Sequence, residues 1–355
     1  MTSPSDVRRP VLMVDWLGRG GIAHCTQAWV HELRGAGETV ELVTRSGREL
    51  VAAVPGSRGV GGRGGALPDY LAVVAAARRL VRQVGPRAVV LHGTVFPEVE
   101  LGLLNAAQRQ NSTVIFVAHE PAPPHNVPGP RRAFVRLVRR ADFVVTHTEF
   151  VAGQIRALTG RHDLTLLPLP IPVGLVSAGL GAVSVVEPSP VPLALLFGNL
   201  HRNYKGSSTV EELAMGGVDG WRFALVGKGA PALLAGSTTV SRFLEAGELV
   251  ATVSGSAATL LPYTRAAQSA ALVLAQAVGS VVVATSVGGI PEQVEDHVTG
   301  RLLPFGAGVE QWRDVLVELG DPKERDRLAA AARVAVERAH LAFTAGVIEL
   351  LGAGH

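Results

Sequence analysis

Nine short apolar runs recur along this chain at helix-length intervals: VLMVDWL, TVELVTR, AVVLHG, STVIFVAH and DFVVTHT, then LALLFGN, RFALVGK, ATLLPY and SVVVATS. Most are continuous runs of Val, Ile, Leu and Ala rather than alternations of apolar and polar residues, the pattern of a strand covered on both faces. Strands of that kind belong to parallel sheets, whose neighbouring strands are joined by crossover helices. The expected class is therefore α/β, built from repeated β-α-β units.

The fifth and sixth runs are separated by LPLPIPVGLVSAGLGAVSVVEPSPVPL, which carries prolines at 168, 170, 172, 188, 190 and 192. Proline removes an amide donor and fixes φ, so this stretch suits a connector and not a central strand or helix. A chain of 355 residues also exceeds one ordinary core and fits two domains of roughly 150–180 residues. The expectation is two Rossmann-like, doubly wound parallel-sheet domains facing a cleft. Residues 1–172 form the first, 173–192 the linker, 193–335 the second domain, and 336–355 a terminal helix.

Hydrophobic residues at 47% and charged residues at 18% describe a well-buried globular chain. The charge is uneven: 20 Arg/Lys against 13 Asp/Glu through Val173, then 13 against 17. An anionic ligand or surface facing the first half accounts for this, and so do arginine-rich solubilising helices. A single cysteine, Cys25, excludes an internal disulfide and a cysteine-based metal site. The start, MTSPSDVRRPVLMV, has no uninterrupted signal-type apolar segment. The uncharged stretch Ala266 to Pro291 is interrupted by Gln, Ser and Gly-Gly, and reads as a helix followed by a buried strand. A cytoplasmic protein is expected.

Two segments bear on chemistry. GSVVVATSVGGIPEQVEDHVTG (Gly279 to Gly300) reads as a buried strand, a Gly-Gly turn, a short acidic helix and a Gly stop. LLFGNLHRNYKG (Leu195 to Gly206) runs an apolar strand into glycine and basic residues. Strand ends that deliver glycines and a cation to one rim are how open α/β sheets bind nucleotide phosphates. Together the segments resemble the C-terminal half of retaining GT-B glycosyltransferases of family 4, which use nucleotide-sugar donors. The likeness extends over most of the chain. It implies an acceptor-side first domain, a donor-side second domain, and a last helix, supplied from Lys323 to Leu351, that crosses back to the first.

The resemblance assigns residues where this chain matches its motifs. Lys205 stands at the family's donor lysine and Gly198 at its strand-end glycine. The family's partner arginine, six residues before the lysine, is Asn199 here, with Arg202 or His201 as substitutes. VGKG (Val226 to Gly229) resembles the family's second strand turn. In LPYTRAAQSAALVLAQAVG, the two positions of the family's paired glutamates hold Ala266 and Leu274. Tyr263, Gln268 and Ser269 instead match a PY…QS variant, with Ser269 capping the helix and its N–H groups facing phosphate. His119, ending the fourth run in VAHEPAPP and held on a loop by the prolines that follow, matches the histidine placed beside the transferred sugar. His92 is its weaker companion.

LGRGGIAHC (Leu17 to Cys25) supports two readings. As Gly20-Gly21 it matches the glycosyltransferase loop that reaches diphosphate and acceptor. As Gly18-x-Gly20-x-x-Ala23 it is a relaxed dinucleotide fingerprint, with Glu41 or Arg45 reading ribose or phosphate. GPRRAFVRLVRRADF (Gly129 to Phe143) sets Arg132, Arg136, Arg139 and Arg140 around a helix, either for peripheral membrane or anionic-acceptor contact or simply as a surface helix. No aromatic-interleaved patch for nucleic acid accompanies it. Neither Asp-x-Asp nor a His/Cys/carboxylate set with metal-ligand spacing occurs, so neither metal nor cofactor is expected. The favoured activity is metal-independent hexosyl transfer with retention, from a nucleotide sugar to an acceptor that the sequence does not identify. A catalytically degenerate GT-B partner protein, a nucleotide-sugar epimerase and an NAD(P)-dependent oxidoreductase stay open.

Overall fold

The computed structural model describes residues 9–62, 64–122, 128–233 and 237–352. The chain divides into two compact units, one reaching to Pro168 and regaining the chain from Leu341, the other spanning Leu169–His340.

The first unit contains strands β1 (Val11–Asp15), β2 (Val40–Arg45), β3 (Arg58–Val60), β4 (Ala88–His92), β5 (Thr113–Val117), β6 (Phe143–Thr146) and β7 (Thr165–Leu166). Its helices are α1 (Gly20–Gly35), α2 (Glu49–Ala53), α3 (Ala66–Val84), α4 (Pro97–Gln108), α5 (Pro128–Arg140) and α6 (Glu149–Thr159). The strands pair in the order β3-β2-β1-β4-β5-β6-β7, every pair parallel. All five residues of β1 and of β4 are buried, as continuous apolar runs require.

The second unit opens with α7 (Val173–Ala178) and continues with β8 (Leu193–Phe197), α8 (Ser207–Gly216), β9 (Arg222–Val226) and β10 (Thr238–Val240). Then come α9 (Ala246–Ser254), β11 (Ala258–Leu261), α10 (Ala270–Val278), β12 (Val281–Thr285), β13 (Arg301–Leu303), α11 (Val309–Glu318) and α12 (Pro322–Gly352). Its sheet runs β10-β9-β8-β11-β12-β13, again all parallel. The uncharged stretch forms α10 and β12, and no described helix is long and apolar enough to cross a membrane. The proline-rich stretch is not bare connector: it includes α7, and Leu175 and Val186 join this unit's core.

The α12 helix serves both units. Leu328 and Ala329 belong to the core of the second. In the first, Phe343 is fully buried and meets the Trp29 ring edge-on at 5.8 Å. Arg87 donates to the Leu351 carbonyl at 3.0 Å, and Gly346 makes room for Leu167.

One buried carboxyl makes the first unit sensitive to alkali. Glu100, in the first turn of α4, is 5% exposed and accepts a hydrogen bond from Thr94. Burial pushes its carboxyl up to about 8 from 4.5. The folded state thus holds a proton that the unfolded chain has lost between these values, so stability falls as pH rises through that window. The expected slope is about 1.4 kcal/mol per pH unit at most. Chemical denaturation of Glu100→Gln at pH 5, 7 and 9 should show the variant gaining on wild type as pH rises. Parallel curves would show that Glu100 is ionised throughout.

Candidate functional site

In an open doubly wound sheet, ligands bind beyond the carboxyl ends of the strands where the strand order reverses. In the second unit that point lies between β8 and β11. The exits of these two strands are the segments Gly198–Gly206 and Pro262–Ser269, which hold all the predicted donor-side residues of this unit.

Glycines let these exits close on one another. Gly227, at φ 136°, lies against Gly198, where a Cβ would overlap the Gly198 carbonyl oxygen. Gly206, at φ 69°, sits equally close to the Pro262 carbonyl. Between them, Gly198 N–H donates to Val226 and Leu200 N–H to Lys228, at 3.0 and 2.8 Å. The loop then makes a tight turn over Asn203–Lys205 before Gly206 opens α8. Thr264 N–H donates to the Tyr204 carbonyl at 2.9 Å, tying the two exits together.

Lys205 closes this arrangement. Its ammonium donates to the phenol oxygen of buried Tyr263 and stands 4.0 Å from that ring's centre. A cation is thereby held at the switch point, and among the described residues no carboxylate forms an ion pair with it. Beside it, His201, Arg202, Asn203, Tyr204, Thr264 and Arg265 line an open depression of about 450 Å³. The Arg265 guanidinium lies 5.3 Å from the Tyr204 ring centre. Asn199 is half-buried, and its Oδ1 is enclosed with no hydrogen-bond partner among the described residues. Such an acceptor costs free energy unless a donor reaches it.

At the start of α10, Ser269 caps the helix as expected, its hydroxyl accepting from Leu272 N–H at 3.2 Å. Its own N–H does not face outward. The amide of Gln293 takes that N–H at 2.7 Å and donates back to the Ser269 carbonyl at 3.4 Å. Gln293 reaches there because the Gly-Gly turn leads into a tight turn over Ile290–Glu292 that ends beneath α10. The helix-start N–H groups without an intrahelical acceptor are then those of Ala270 and Ala271. Gln268 is half-buried beside the cap. Leu274 is 2% exposed, so one of the two positions where the resemblance expects a glutamate is core here.

In the first unit the order reverses between β1 and β4. Asp15 ends β1 fully buried and accepts from Leu17 and Gly18 N–H at 2.9 and 3.0 Å and from the Thr26 hydroxyl at 3.0 Å. Burial raises its carboxyl to about 6. Gly20 and Gly21 begin α1 exposed, but Gly20 N–H donates to the Glu49 carboxylate at 3.1 Å. An acidic side chain thus already answers the positive helix end. The proposed readers of the dinucleotide alternative are also engaged. Arg45 pairs with Asp69 at 2.5 Å and Glu41 with Arg58 at 3.1 Å.

His119 follows β5, but its imidazole is 5% exposed and packs between His92 and His147, at ring separations of 5.5 and 5.1 Å. The prolines expected to hold it outward include Pro123 and Pro124, which lie outside the described residues. Burial lowers all three imidazoles, His92 to about 3 and His147 to about 4. The expectation that no His/Cys set gathers at metal-ligand distance is corrected. Cys25, His92 and His119 bring their donor atoms within 4.8 Å of one another. Linear spacing missed them because they come from different elements. The available signal was three strands each ending in histidine.

On α5, Phe134, Leu137 and Val138 are buried. Arg139 and Arg140 are tied down by the Thr159 carbonyl and Gln108, each at 2.7 Å. Arg131, Arg132 and Arg136 are exposed.

Comparison with known proteins agrees with this geometry. Residues 20–170 match the family model of the glycosyl transferase 4-like domain, and residues 191–321 that of glycosyl transferases group 1. No curated protein matches the chain in sequence. Among solved structures, HepE of Anabaena in complex with UDP-glucose aligns with a TM-score of 0.77 at 16% identity, covering 97% of this chain and 99% of that one. Sucrose-phosphate synthase of Thermosynechococcus elongatus aligns with 0.74 at 18%, covering 97% and 98%. A glycosyltransferase of Rickettsia africae gives 0.74 at 14%, covering 98% and 99%. At such identities these likenesses establish the fold. The chain therefore consists of two glycosyltransferase domains. It is a glycosyltransferase of GT-B fold.

The Ser269 cap separates structure from binding. Ser269→Ala should cost about 1 kcal/mol of stability through the lost cap. Gln293→Ala should cost a similar amount by freeing the Ser269 backbone groups. Denaturation midpoints of both variants check this, and an unchanged pair would show that the α10 start is held by other contacts.

Proposed function

We propose that the protein transfers a hexose from a nucleoside-diphosphate sugar to an acceptor with retention, and that no metal ion sits on the diphosphate. The observation that carries this reading is Lys205, a cation held on Tyr263 at the switch point of the second sheet. HepE, which shares the fold, was crystallised with UDP-glucose, UDP and glucose.

Breaking the anomeric C–O bond leaves positive charge on the sugar and negative charge on the departing diphosphate. Lys205, Arg202 and the α10 start, with Gln268 beside Ser269, stabilise that diphosphate. The enclosed Asn199 Oδ1 accepts from a donor hydroxyl, and Gly198 keeps the strand exit clear for it. His119 orients the sugar near the reacting centre. In this reading residues 1–172 form the acceptor side and 193–335 the donor side, with 336–355 completing the first. The exposed arginines of α5 meet an anionic acceptor or a membrane surface.

Lys205→Ala should weaken donor binding roughly ten- to a hundredfold, the worth of a charge-assisted phosphate contact, and leave folding nearly unchanged. Calorimetric titration of a panel of nucleotide sugars measures it. An unchanged dissociation constant would remove Lys205 from the site. Turnover should likewise survive excess EDTA, because Lys205 and N–H dipoles neutralise the diphosphate. Complete loss that magnesium restores would overturn the metal-free scheme.

A second reading rests on buried Leu274 and on Ala266 at the two glutamate positions. Without those carboxylates the chain is a catalytically degenerate partner of an active enzyme. Failure of wild type to bind any nucleotide sugar in the same titration selects it.

A further inference from the structure

Four side chains converge inside the first unit, of which the transfer scheme uses only His119. His92, His119 and His147 leave adjacent parallel strands, His119 and His147 level with one another and His92 two residues lower. The register pairs His92 with Val117 and Val117 with Val145, and the other two histidines follow those valines by two residues. Cys25 arrives from the buried face of α1. All four are at most 5% exposed.

The spacing of the donor atoms suits an ion. His92 Nδ1 is 3.3 Å from His119 Nε2, and Cys25 Sγ is 3.6 Å from His147 Nε2. A tetrahedral ion with bonds of about 2.0–2.1 Å to nitrogen and about 2.3 Å to sulfur sets N···N edges near ~3.3 Å and S···N edges near ~3.6 Å. Both pairs already stand at those separations. The donor atoms of Cys25, His92 and His119 are mutually within 4.8 Å.

The hydrogen bonding suits it too. His147 donates Nδ1–H to the Leu167 carbonyl at 2.9 Å, which fixes its lone pair on Nε2, toward Cys25.

We propose that Cys25, His92 and His119 form a binding site for a thiophilic divalent ion of the zinc class, with His147 Nε2 beside the Cys25 sulfur. Binding breaks the Cys25 S–H bond, forms the sulfur–metal bond and releases the proton to solvent. This goes beyond the transferase reading. Since His119 is shared, an ion here excludes its contact with sugar, and added zinc should inhibit turnover.

The test is a titration of the chelator-treated full chain with Co²⁺ and then Zn²⁺, without any nucleotide sugar. The expected result is about one equivalent of Co²⁺ bound, with a near-ultraviolet sulfur-to-cobalt charge-transfer band, release of about one proton, and displacement by Zn²⁺. Cys25→Ser should abolish the band and weaken Zn²⁺ binding by about a hundredfold or more, since loss of a ligand exceeds loss of a supporting contact. No saturable binding by wild type, or binding without the sulfur band, overturns the proposal, and neither outcome depends on a variant folding. With no nucleotide sugar present, failure here leaves the donor-binding result untouched.

Discussion

Parallel pairing governs this molecule. Because every described sheet pairing is parallel, all strands of a unit leave on one edge, and the chain must return by a helix each time. One rim of each unit then collects the strand exits, while the other rim collects only returns. The residues with chemistry gather accordingly. Lys205 and Asn199 follow β8, Ser269 follows β11, and three histidines end or follow β4, β5 and β6. Reversal of strand order leaves a gap in helix cover at β1/β4 and β8/β11, so these exits stay open to a ligand.

The donor-side rim has traded charge for proximity. At the two positions where the resemblance expects glutamates stand a buried leucine and an alanine, which leaves neutral amides and the Lys205 ammonium at this rim. Neutral hydrogen bonds are about half as strong as charge-assisted ones, so geometry must be well fixed to compensate. The overlaps that side chains on Gly206 and Gly227 would create show how tightly the exits are drawn together. Tyr263 keeps Lys205 from wandering, which lowers the entropy lost when an anion binds.

Much of the architecture was legible because burial on both faces leaves an unmistakable apolar run. All nine runs are strands. The four strands without such a run, β3, β7, β10 and β13, are the outer edges of the two sheets, two or three residues long. An edge strand has one neighbour and less cover, so little in its sequence distinguishes it from loop. The site was legible in part. A glycine and lysine at a strand end can be read locally, as can a serine cap. That Gln293 would occupy the Ser269 N–H, or Glu49 that of Gly20, depends on how a later turn folds back. The Cys25–histidine cluster needed strand order and register, neither of which is written in the spacing of single residues.

The sharing of α12 has a consequence for how the protein comes into being. Trp29 is among the earliest core residues made, yet the Phe343 that covers it is among the last. During synthesis at about 5–20 residues per second, the first sheet can assemble early but keeps an open apolar face until the C-terminal turns emerge. Throughout that interval the nascent first unit is a natural client for a chaperone, and a chain cut short after the second unit leaves the first unfinished.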